Sequence, residues 1–113
     1  MENHFIKVTG AEQFTDLLSR SQQQPIIIFK HSTTCPVSAA AYDEMEQLAG
    51  EVVLVEVQRA RELSREIEKQ TGIRHESPQV LVLENGKVVW NASHFKVKAR
   101  AVEEALNRSG NHS

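Results

Sequence analysis

Two apolar runs without alternation most constrain what this chain can fold into. Ile26-Ile27-Ile28-Phe29 and Val52-Val53-Leu54-Val55 each place four hydrophobic side chains in succession, most of them β-branched. A strand sends successive side chains to opposite faces, so such a run must be covered on both. That calls for a sheet with helices above and below, its parallel strands joined by right-handed helical crossovers.

The segments around these runs supply the helices. Phe5 to Val8 reads as a short edge strand. Thr9-Gly10-Ala11-Glu12 then fits a capping box, with the Thr9 hydroxyl accepting from a first-turn N–H and Glu12 reaching back. Phe14, Leu17 and Leu18 follow on one helical stripe that ends near Ser21, before a polar stop at Gln22 to Pro25. Val37, Ala41, Met45 and Leu48 form one face of a second helix, opened by Pro36 and ended by Gly50. Ala60 to Thr71 is a charged helix with Leu63 and Ile67 inward and Gly72 as its stop. Val80 to Leu83 and Lys87 to Trp90 flank Glu84-Asn85-Gly86, and Asn-Gly between such runs is a strong hairpin signal. A last helix runs from about Lys96 to Asn107, with Val102, Ala105 and Leu106 inward. The order β-α-β-α-β-α-β-β-α predicts an α/β domain with a mixed five-stranded sheet and helices on both faces.

At 113 residues the chain is expected to form one domain over 1–108, with 109–113 as a flexible polar tail. A net charge of −2 provides no basic footprint for nucleic acid and no polybasic membrane patch. No apolar run is long enough to span a bilayer, and Met1-Glu2-Asn3-His4 lacks a basic, apolar leader, so the expected location is the cytoplasm. One cysteine rules out an intramolecular disulfide and a multi-cysteine zinc site within one chain. The five histidines are too scattered for a metal signature, and no metal is expected.

That cysteine, Cys35, stands where the first apolar run gives way to the helix that Pro36 opens. A free thiol ionises near pH ~8.5, and the thiolate is the nucleophile in disulfide exchange. The unpaired N–H groups and dipole of a helix N-terminus favour the anion and can bring a cysteine to about 3.5–7.5. Pro36 suits the first helical position, where its missing N–H has no partner to lose. Read alone, Cys35 is equally a small buried residue; the strand–Cys–Pro–helix setting favours chemistry. Ser38 lies one turn further on. Its hydroxyl is placed either to donate to the thiolate or to serve as an ordinary first-turn polar group. Lys30, His31, His75 and His94 are candidate local positive charges, each also read as a solvated surface residue, with Lys30 and His31 favoured because they join the buried run to Cys35. Pro78, after Ser77, opens a strand, where proline is unremarkable and a cis bond uncommon.

Thr34-Cys35-Pro36-Val37-Ser38 after the second strand, with the run from Thr71 to Lys87, resembles the thioredoxin fold over nearly the whole chain. Within that fold, Phe29 to Ser38 is similar to the monothiol bacilliredoxins of the YtxJ type. The resemblance implies that Pro78 is a cis-proline facing the Cys35 sulfur, and that Thr34, Pro36, Ser77 and Pro78 shape a substrate groove. It further implies that Cys35 removes bacillithiol from bacillithiolated proteins, that bacillithiol is a co-substrate with no tightly bound cofactor, and that a separate bacillithiol disulfide reductase recycles the product. Ala92-Ser93-His94-Phe95 replaces the Gly-Gly turn and acidic residue common in glutathione-using relatives. Pro36-Val37 replaces the Gly-Phe of cluster-holding monothiol glutaredoxins. Two alternatives follow from the same residues: a non-catalytic thioredoxin-fold adaptor, and an iron–sulfur carrier.

Overall fold

The two apolar runs lie side by side in the sheet. In the computed structural model, which describes residues 4–110, the elements are β1 (Phe5–Lys7), α1 (Glu12–Arg20), β2 (Ile26–His31), α2 (Pro36–Glu46), β3 (Val52–Glu56), α3 (Arg61–Thr71), β4 (Gln79–Glu84), β5 (Lys87–Ser93) and α4 (Ala99–Gly110), with a short 3-10 turn at His94–Lys96 before α4. The strand order is β1-β3-β2-β4-β5. β3 pairs in parallel with both β1 and β2, whereas β4 runs antiparallel to β2 and to β5.

Each apolar run is divided between two cores. Ile27 and Phe29 of β2, with Val52 and Leu54 of β3, meet Ala41 and Met45 of α2 and Val102 of α4. Ile26 and Ile28, with Val53 and Val55, meet Phe14 and Leu17 of α1 and Leu63 and Ile67 of α3. Thus α2 and α4 cover one face and α1 and α3 the other. Burying one such aliphatic side chain contributes about 1.5–3 kcal/mol, so β2 and β3 hold much of the stabilising area.

Several local expectations are corrected. The capping box at Thr9 does not form: α1 begins with Ala11 and has no side-chain cap. Gln13 rather than Glu12 reaches back, its Oε1 accepting from the N–H groups of Thr9 (3.0 Å) and Gly10 (2.8 Å). The N-cap falls at Ala11, two residues after Thr9, and the first turn closes with Gln13 N–H on Gly10 O and Phe14 N–H on Ala11 O. The last helix starts at Ala99, not Lys96, because His94–Lys96 closes a separate turn. Its first N–H is capped from a distance by Glu44 Oε1, 2.8 Å from Ala99 N. α4 continues to Gly110, and residues 111–113 of the polar tail lie outside the described residues.

The hairpin forms as read. Asn85 and Gly86 take φ of 55° and 78°, the left-handed pair that a two-residue turn requires, and Glu84 pairs with Lys87 across it. Gly72, at φ 74°, ends α3 with its N–H on Glu68 O.

Candidate active site

The site lies at one end of the sheet, where β2 finishes and β4 begins. Lys30 near the end of β2 is the cross-strand partner of Gln79 at the start of β4. The chain leaving His31 therefore turns through Ser32–Thr34 into Cys35 at the same edge that receives Ser77 and Pro78. The Ser77–Pro78 bond is cis. Strand pairing starts at Gln79, so Ser77 precedes the ladder, while Pro78 O accepts from His94 N at 2.9 Å.

Cys35 is the N-cap residue of α2, in extended backbone (φ −104°, ψ 124°), with Pro36 at the first helical position. Its carbonyl accepts from Ala39 N at 3.0 Å, so the helix is hydrogen-bonded from this residue onward. The sulfur makes no capping hydrogen bond and is half-buried. A thiol held in this way sits where the unpaired first-turn N–H groups and the positive end of the helix dipole converge.

Ser38 lies in the first turn of α2, beneath the loop that leads to Cys35. It is fully buried, and its Oγ accepts from Ser32 N at 3.1 Å. This bond ties the loop down onto the start of α2. Gln58, after β3, holds the same loop from the outside. Its Nε2 donates to Ser32 Oγ (3.0 Å) and Thr34 Oγ1 (3.2 Å), and its Oε1 accepts from Thr33 N (3.2 Å). Thr34 and Pro36 are exposed on either side of Cys35.

The candidate positive charges are corrected as well. Lys30 is wholly buried on the α3 face rather than solvated, and its Nζ donates to Gln79 Oε1 at 2.8 Å. Desolvation pushes its pKa down to about 8, against the opposing pull of Glu68 and Glu76. His31 lies on the opposite face, its ring 5.1 Å from that of Tyr42 and 5.4 Å from that of Phe29. Burial lowers its pKa from the usual histidine value, with Glu56 and the main chain of Ser38 acting the other way. Its Nδ1 is buried without a hydrogen-bond partner. His75 and His94 are exposed. Burial, and secondarily the Lys30 charge, lowers the His75 pKa.

Among the described residues no three His, Cys, Asp or Glu side chains gather to hold a metal ion, and no helix is long and apolar enough to cross a membrane. Residues 6–102, which include every part of this site, match the family described as monothiol bacilliredoxin BrxC. The chain belongs to that family.

Solved structures agree on the thioredoxin fold. A thioredoxin-fold protein assigned as an oxidoreductase is 33% identical, with a TM-score of 0.84 over 90% of this chain and 93% of its own. Spinach chloroplast thioredoxin f (19% identity, TM-score 0.72, 98% of this chain and 100% of that one) and Fasciola hepatica thioredoxin (17%, 0.71, 90% and 96%) share the fold. The bacilliredoxin chain is thus a thioredoxin-fold member of a thiol redox family, with one cysteine at the start of α2.

Two glutamines escaped the reading of the sequence. Gln79 sits in a strand where a polar residue marks a paired buried group, and that signal was available. Gln58 follows β3 in a charged turn, and nothing local distinguishes it.

Proposed function

We propose that this bacilliredoxin removes bacillithiol from S-bacillithiolated proteins. Cys35 thiolate attacks the bacillithiol sulfur of the mixed disulfide; a Cys35–bacillithiol disulfide forms, and the protein sulfur leaves as a thiolate that takes a proton from solvent. A second bacillithiol thiolate then attacks the bacillithiol sulfur of this adduct. Bacillithiol disulfide forms and Cys35 leaves as the restored thiolate; each step exchanges one disulfide for another, so no further oxidant or reductant is required. The disulfide is recycled by a separate reductase.

The observation that carries this reading is a lone cysteine capping α2, with Ser38, a residue that cannot oxidise, one turn further on. Resolution then has to come from outside the chain. Ser77, ahead of the paired part of β4, leaves main-chain groups to hold an extended partner, and Thr34, Pro36 and Pro78 border the same edge. Ser38 and Gln58 act as positioning residues for the loop.

The test is intact-mass spectrometry of the reduced protein offered bacillithiol disulfide and glutathione disulfide in parallel, followed by assay on a bacillithiolated protein. The expected result is one bacillithiol per chain, absent in Cys35→Ala, and release of the substrate protein in reduced form. No adduct on wild type with either disulfide would remove the catalytic reading in favour of an adaptor.

A further inference from the structure

A cleft of about 380 Å³ opens on the α3 side of the Cys35 loop, with Ser32 and Gln58 on one wall and α3 on the other. Gln58 joins it to the reactive residue, since the same amide bonds Thr34, the neighbour of Cys35. From α3 the cleft receives Arg61, Ser64, Arg65 and Glu68, and His75 closes one end. Residues 61, 65 and 68 share one helical face.

Two features call for a ligand. Among the described residues neither Arg61 nor Arg65 has a carboxylate within ion-pair distance, whereas Glu68 is engaged, its Oε2 accepting from His75 N at 3.1 Å. Ser64 is 5% exposed and its Oγ has no hydrogen-bond partner, although it lines the cleft. A buried hydroxyl without a partner is costly and rare in native folds.

We infer that this cleft holds the carboxylate- and hydroxyl-bearing end of the small thiol that exchanges with Cys35. The guanidinium groups of Arg61 and Arg65 take the carboxylate, and the Ser64 hydroxyl completes its bonding on the same molecule. Glu68 and His75 at the far end suit a hydroxyl or an ammonium. The inference rests on the proposed function, because it assigns a place to that function's co-substrate. The exchange is a balanced one: the Cys35 thiolate forms a bond to one sulfur of the small disulfide, and the other sulfur leaves as a thiolate.

The test measures the rate of adduct formation at Cys35 by intact mass with two probes, anionic dithiodipropionate and neutral hydroxyethyl disulfide. The anionic-to-neutral rate ratio is expected to fall about tenfold in the doubly substituted Arg61→Gln, Arg65→Gln protein, as for loss of charge-assisted carboxylate bonds. An unchanged ratio overturns the cleft assignment while leaving the exchange chemistry standing. Failure of both probes to modify wild-type Cys35 overturns the functional reading itself, and the cleft assignment with it. Ser64→Ala is expected to lower the anionic rate without lowering the thermal midpoint, since no bond within the fold is lost. A lower midpoint would show that the hydroxyl is satisfied internally and would remove Ser64 from the site.

Discussion

Lys30 Nζ donates to Gln79 Oε1 at 2.8 Å in the buried end of the β2–β4 pair. The same glutamine accepts from Glu76 N (3.5 Å) and donates through Nε2 to Arg74 O (2.9 Å) and Ser93 Oγ (3.5 Å). One amide therefore joins the strand that leads to Cys35, the loop that leads to Pro78 and the end of β5. Burial of the ammonium, only partly offset by Glu68 and Glu76, is what holds its pKa down to about 8.

Replacing that partner should be expensive. Gln79→Leu keeps the size but leaves Lys30 Nζ and Arg74 O without their bonds, and should destabilise by about 2–4 kcal/mol. Gln79→Glu should recover much of this by pairing with the ammonium. Urea unfolding of the two variants checks it, and equal losses would show that packing, not the hydrogen bond, holds the junction.

Lys30 also makes stability depend on alkaline pH. Its folded pKa of about 8 lies below the ordinary 10.5, so the unfolded chain binds more protons between these values. Stability then rises with pH from about 8 towards 10.5, as the penalty for burying the charge is relieved. Lys30→Met should flatten that contribution relative to wild type in thermal melts across this range. In NMR titrations the same variant should move the His75 midpoint upward, because a cation that opposes its protonation is gone.

Ser38 separates loop support from redox chemistry. Ser38→Ala removes the acceptor for Ser32 N–H and should cost about 1–2 kcal/mol, with faster amide exchange at Ser32. Ser38→Cys places a second thiol one turn from Cys35 and should shorten the lifetime of a Cys35 adduct by offering internal resolution. Mass spectrometry over time reads this directly; an adduct as persistent as in wild type would mean that the buried side chain cannot reach the sulfur.

Gln58→Ala should loosen the Cys35 loop without unfolding the domain. Three hydrogen bonds at the surface are lost, each contributing roughly 0.5–1 kcal/mol or less where water can replace them. The expected signature is faster exchange of the Thr33 amide and altered alkylation of Cys35, with a thermal midpoint lowered by only a few degrees. A large loss of stability would mark Gln58 as a core determinant.

Much of the architecture was legible because it depends on neighbours in sequence. The four-residue apolar runs require two covered faces, the 3.6-residue stripes mark α1 to α4, and Asn85-Gly86 carries the left-handed backbone of its turn. The errors were local too. Thr9 looked like a cap because its spacing to Glu12 was right, but the helix entered two residues later, at Ala11, and Gln13 took the role. At the site, Cys35 and Pro36 were legible as a helix start, and the expectation for Ser77–Pro78 came from the family resemblance.

The sequence by itself determined a three-layered α/β domain, with helices on both faces of the sheet and one thiol delivered to the first turn of a helix, since strand alternation, helical period and the fixed φ of proline act over a few residues. Tertiary structure alone decided which groups surround that thiol. Strand order brings Lys30 to Gln79 across 49 positions, buries two of the candidate cations, Lys30 and His31, and turns Ser38 toward Ser32. Those outcomes depend on desolvation and on hydrogen bonds between distant segments, which no short window of sequence contains.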